Sequence, residues 1–87
     1  MTDSNFISLL TEEVRLARKK FPGNNMLLAA LMEEVGELAH DLIEYRLSGG
    51  YMEHRKKSRM EAVQVACIAL RIATEFDSDF LTGVENR

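Results

Sequence analysis

Two turn signals constrain this chain more than any other feature. "FPGNN", Phe21 to Asn25, holds the only proline of the sequence, followed by Gly23. "LSGGY", Leu47 to Tyr51, holds a glycine pair. Proline and glycine in such clusters end helices and open turns. They cut 87 residues into three long segments, and the segments carry almost no strand signal. The expected fold is all-α: one domain over residues 1–87, with three main helices in an antiparallel bundle. Two long helices joined by a short loop become antiparallel neighbours.

The first segment, from about Ser4 to Lys20, repeats Phe6, Leu10, Val14, Ala17 and Phe21 at helical spacing. Ser4 or Asp3 is the expected cap, and Arg18, Lys19 and Lys20 suit the negative end of the helix dipole. The second, from an expected N-cap at Asn25 to Leu47, places Leu28, Leu31, Val35, Leu38 and Leu42 on one face. Gly36 inside it is less favourable than alanine by about 1 kcal/mol; close approach by a helix or ligand would explain it, as would plain tolerance. The third starts between Tyr51 and Ser58 and ends near Glu75. It bears one stripe of Met60, Val63, Cys67, Leu70 and Thr74 and another of Val65, Ile68 and Ile72. A stub of helix capped at Asp77 or Ser78 is expected to follow. Three helices of this length form an incomplete bundle, which points to completion as four-helix bundles in a homodimer or homotetramer.

Composition narrows the partners. At 46% apolar and 29% charged residues the chain is an ordinary globular one. A net charge of −3 argues against a nucleic-acid footprint. No apolar run is long enough to cross a bilayer, and "MTDSNF" lacks the basic start of a secretory signal. The expectation is a cytoplasmic protein with neither membrane nor nucleic-acid contact. Cys67, the single cysteine, can form no internal disulfide and is expected as a buried, inert thiol.

The second helix is the chemically unusual one. "LMEEVGELAHDLIEY", Leu31 to Tyr45, carries Glu33, Glu34, Glu37, Asp41 and Glu44 without a lysine or arginine among them. With Glu34 at 0° on a helical wheel, Asp41 falls at about −20°, Glu37 at about −60° and Glu44 at about −80°. Leu38, Leu31, Leu42 and Val35 fall at about 40° to 100°, so the acids border the apolar face. A solvated acidic face is one reading. The other is a hard divalent cation that neutralises the cluster. Glu61 and Gln64 stand three apart on the third helix and could face Glu34 and Glu37 across an antiparallel pair, a quartet of oxygen ligands on two rigid helices.

At this point the sequence resembles a known family. "EEVGEL", Glu33 to Leu38, followed by "MEAVQVACIALRIA", Met60 to Ala73, is similar to the MazG-like nucleotide pyrophosphohydrolases, whose signature is ExxE, a spacer, then ExxD. Glu34 to Glu37 matches the first half. Glu61 to Gln64 matches the second, with Gln64 where the family has aspartate. The resemblance implies an all-α, Mg²⁺-dependent (or Mn²⁺-dependent) enzyme that cleaves nucleoside triphosphates to monophosphate and pyrophosphate. It implies Glu34, Glu37 and Glu61 as ligands, Glu33 as a further ligand or a base on the attacking water, and a homo-oligomer. Gln64 can ligate through its amide oxygen but carries no charge and cannot act as a base. It leaves a looser metal site, a site with fewer ions, or a protein that binds nucleotides without cleaving them.

Cations complete the candidate site. "HRKKSR", His54 to Arg59, is a basic run expected just before the third helix. It is either a solvated helix flank or, through Lys56 and Lys57, a phosphate contact. Arg71 contacts phosphate or pairs with Glu75 one turn on. Tyr45, Tyr51 and Phe21 are packing residues or base-stacking ones. The alternative to an enzyme is a non-catalytic helical interaction or nucleotide-binding protein that keeps the family fold.

Overall fold

The computed structural model describes residues 1–23 and 26–75. They form three helices and no strand: α1 (Asp3–Lys20), α2 (Leu27–Leu47) and α3 (Met52–Glu75). The expected helical stub at Asp77 or Ser78 lies outside the described residues, as does Asn25. The all-α expectation and the three helix positions agree with this structure.

Local chemistry sets the ends. Thr2, not Ser4 or Asp3, caps α1: its hydroxyl accepts from the Asn5 N–H at 3.1 Å, and its own N–H donates to Asn5 Oδ1 at 3.4 Å. This reciprocal pair is a capping box with asparagine in the glutamate's place. The N-cap position of α2 is Met26, which makes no side-chain capping bond, so the expected asparagine cap is one residue early. At the far end of α2 the chain turns through Gly49 and Gly50, at φ 75° and 96°. The Gly50 N–H donates to the Tyr45 carbonyl at 2.9 Å and that of Gly49 to Arg46 at 3.3 Å. This is the Schellman arrangement, which needs a left-handed residue after the helix. Ser48 Oγ accepts from the Tyr51 N–H at 3.0 Å and closes the turn. The short connection sends α3 back along α2 as its antiparallel neighbour.

α3 is the central element. Both α1 and α2 pack on it, and they do not pack on each other. The buried apolar set is small: Val14 from α1, Leu27 from α2, and Val63, Cys67 and Ile68 from α3. The shape is elongated, 49 × 25 × 23 Å, with a radius of gyration of 15.1 Å, against about 12 Å for a compact chain of this length.

This arrangement corrects the expected apolar face of α2. Leu28, Val35 and Leu42 are exposed, Leu28 by 64%, while Leu31 and Leu38 are half-buried. Residues turned toward α3 include Leu27, Ala30, Glu34, Asp41 and Tyr45, all within about 40° of Glu34 on the wheel. Glu34 and Asp41 thus lie in the helix–helix contact itself, and Leu28, Val35 and Leu42 are turned out. The physical reason is that α2 has one neighbour rather than two. Its polar side meets α3, and among the described residues no second helix covers its apolar side. On α3, Met60 and Thr74 are likewise exposed; on α1, Phe21 is.

A carboxylate cluster between two helices

α2 delivers Glu34 and Glu37 one turn apart, and α3 delivers Glu61 from the opposite strand of the hairpin. One carboxylate oxygen from each lies within 4.8 Å of the other two. Glu34 and Glu61 are half-buried and Glu37 is exposed. No lysine or arginine forms an ion pair with any of the three among the described residues.

Three acids so placed repel one another, and the proton affinities of Glu61 and Glu37 register it. Glu61 is pushed up to about 7, first by a shared hydrogen bond with Glu34, then by burial and by the Glu34 charge. Glu37 is also raised above the usual carboxylate range, chiefly by the Glu61 charge and next by burial. Glu61 Oε2 is buried and has no hydrogen-bond partner. A buried carboxylate oxygen without a donor is unfavourable by about 1–3 kcal/mol.

The donor set fits a hard divalent cation. Oxygens at 2.0–2.1 Å from Mg²⁺ in an octahedron stand about 3 to 4 Å from one another, so small rotations of the three side chains would close the ring. Glu61 Oε2 would gain the partner it lacks. Acidic groups of this kind also occur without an ion.

An open cavity of about 620 Å³ lies over the cluster, walled by Glu33, Gly36, Glu37, Asp41, Lys57 and Glu61. The basic run thus falls inside the first turns of α3, and Lys57 reaches the cavity that the acids line. Lys56 is exposed and stands 3.8 Å from Glu53. Glu33 is exposed on the cavity wall. His40 lies 3.7 Å from both Asp41 and Glu44, an ion pair only when the ring is protonated. Outside its own helix backbone, Gly36 has no described atom within 4 Å of the place a Cβ would occupy, so neither α1 nor α3 demands glycine there.

Arg71 is engaged away from the carboxylates, and Gln64 is held through its amide nitrogen from the α1 side. Arg71 is 3% exposed. Its Nε and Nη2 donate to Glu75, and Nη2 also donates to the carbonyls of Phe21 at 2.8 Å and Gly23 at 3.1 Å. Arg18 adds a second guanidinium to Glu75 at 2.9 Å. Of the two roles expected for Arg71, the structure contains the Glu75 pairing, together with an anchor for the α1–α2 connection. Gln64 faces α1 and donates through Nε2 to Glu13 Oε2 at 2.9 Å. Cys67 is buried, and burial raises its thiol pKa.

Glu13 was not singled out in the sequence, although a signal existed. On the α1 wheel it lies within about 20–60° of Phe6, Leu10 and Ala17. That is the same apolar-border position that marked Glu34 on α2. A second cavity, also about 620 Å³, runs between α1, the α1–α2 connection and α3, with Phe21, Met26, Leu27, Glu34, Gln64 and Arg71 among its walls. The two cavities meet at the carboxylates, Glu34 walling one and Glu37 and Glu61 the other.

No family profile, curated protein or solved structure matches the chain.

Proposed function

We propose that the protein is a Mg²⁺-dependent nucleoside triphosphate pyrophosphohydrolase of the MazG-like kind. The reading has it working as a homo-oligomer on the cytoplasmic pool of non-standard or surplus nucleotides. The observation that carries the reading is the convergence of Glu34, Glu37 and Glu61 from two helices to within 4.8 Å, with no lysine or arginine paired to them among the described residues. The ExxE and second-motif spacing of the sequence supports it independently.

A divalent cation held by these three carboxylates would supply charge for phosphate oxygens and acidify a water. The chain's own groups do the rest. Glu34 and Glu61, half-buried on rigid helices, fix the position of the ligand oxygens. Glu33, exposed on the cavity wall, would accept a proton from the attacking water. Lys57 offers an ammonium to the phosphate chain on the same wall. Lys56, paired loosely with Glu53 and outside the cavity wall, is the second cation of the run that a phosphate chain could draw in. The second cavity, apolar and bounded by Phe21 and Met26, offers room for a nucleoside.

The exposed leucine stripe of α2 supports the oligomer. Leu28, Val35 and Leu42 form an apolar surface that a second copy would cover as the fourth side of a bundle. The same surface is what favours the second reading, a helical interaction protein without catalysis.

One assay separates the two. The purified protein is incubated with a panel of ribo- and deoxyribonucleoside triphosphates and Mg²⁺, and products are identified. Monophosphate with pyrophosphate supports the enzyme, and Glu37→Gln should then lose metal-dependent turnover. No turnover at any nucleotide, together with no effect of Mg²⁺ on thermal stability, refutes it.

A further inference from the structure

The partner of Gln64 gives this glutamine a role that its lack of charge alone would not suggest. A carboxylate only accepts hydrogen bonds, so the contact between Glu13 Oε2 and Gln64 at 2.9 Å requires the amide nitrogen on the Glu13 side. That leaves Oε1 as the free acceptor of an amide that walls the same cavity as Glu34 and sits one turn beyond Glu61. Glu13 itself forms no ion pair with a lysine or arginine among the described residues.

We propose that Glu13 is a positioning residue for the carboxylate site: it holds the amide nitrogen of Gln64 so that the amide oxygen is presented as a fourth ligand atom. The inference rests on the metal-binding reading above. It makes glutamine a requirement rather than a weakening. An aspartate at this place would meet Glu13 carboxylate to carboxylate. The glutamine avoids that repulsion, and Glu13 keeps a negative charge one residue removed from the ion. Hydrogen-bonded outer partners of this kind orient ligands and commonly change metal affinity about 10–100-fold.

The test is a calorimetric Mn²⁺ titration of the full chain, with ion-free thermal stability measured beside it. Glu13→Ala should weaken Mn²⁺ binding about tenfold or more and shift the ion-free melting temperature by only a few degrees. Gln64→Asp alone should fail to tighten binding, because the new carboxylate faces Glu13. The double variant E13Q/Q64D restores one donor and one acceptor with their places exchanged, and should bind Mn²⁺ at least as well as the wild type. A structural role for the pair would not produce that reversal. Should Glu13→Ala fail to fold, Glu13→Gln is expected to weaken Mn²⁺ binding as well, since a neutral amide no longer fixes the orientation of its partner. Wild-type binding that is lost in Glu37→Gln but unchanged in both Glu13 variants overturns this inference alone. Gln64→Asp that tightens binding by itself, with no further gain in the double variant, does the same. A wild type that takes up no Mn²⁺ overturns the metal reading and this inference together.

Discussion

Replacing Glu61 by glutamine is expected to stabilise the ion-free protein at pH 8 and to leave it almost unchanged near pH 4.5. Glu61 has an ordinary carboxyl value of 4.5 and is raised to about 7 in the fold. Between those values the folded state holds a proton that the unfolded state has released. Stability contributed by this group is therefore complete below about pH 4.5 and is lost as pH rises through about 7. For an isolated site that difference is worth about 3 kcal/mol. Water reaches the cluster through an open cavity, and screening brings the expected loss to about 1–2 kcal/mol. Glutamine keeps the shape of the side chain and carries no charge at either pH. Urea denaturation in EDTA at fixed protein concentration should therefore place Glu61→Gln about 1–2 kcal/mol above the wild type at pH 8, or about 4–16 °C in melting temperature. Adding Mg²⁺ or Mn²⁺ should reverse the order, because the ion binds the deprotonated wild-type site and finds one carboxylate fewer in the variant. A variant less stable than the wild type at pH 8 in EDTA would mean that Glu61 has a stabilising cationic partner, and the repulsion argument would fail.

Three further outcomes follow from the packing. Gly36→Ala should raise ion-free stability by about 0.5–1 kcal/mol, since nothing stands within 4 Å of the added carbon; a loss of stability would show that glycine is needed there. Arg71→Met should destabilise by about 2–4 kcal/mol, as it frees the carbonyls of Phe21 and Gly23 and removes one guanidinium from Glu75; a change under 0.5 kcal/mol would refute the anchoring role. Leu28→Lys with Leu42→Lys should preserve helicity and lower the mass seen by light scattering to that of one chain, because both residues lie outside the buried core; an unchanged mass would place the interface elsewhere.

The helices were legible because their boundaries are local. Pro22, Gly23, Gly49 and Gly50 act on their own neighbours, and α3 is helical through Glu75, the last of the described residues. The cap of α1 was missed by one residue because Thr2, Asp3 and Ser4 all can cap, and the choice depended on Asn5 reaching back. The face of α2 was misjudged for a different reason. Apolar residues mark a surface that some partner covers, and sequence periodicity does not say whether that partner belongs to the same chain. Leu28 and Leu42 therefore looked like core, while Glu34 and Asp41 looked like its border. The carboxylate trio was legible from spacing, since an i, i+3 pair on one helix meets a residue of its antiparallel neighbour. Glu13 was not, because its contact with Gln64 joins positions 51 residues apart, and nothing local fixes how α1 lies on α3. Arg71 shows the same limit: its one-turn pairing with Glu75 was readable, its bonds to the distant connection were not.

The most direct test of the account is anomalous diffraction from crystals grown with Mn²⁺. One ion is expected between the carboxylates of Glu34, Glu37 and Glu61, within about 2.2 Å of an oxygen from each. A map with no ion there, with the three side chains held instead by protons or by a neighbouring lysine, would contradict it.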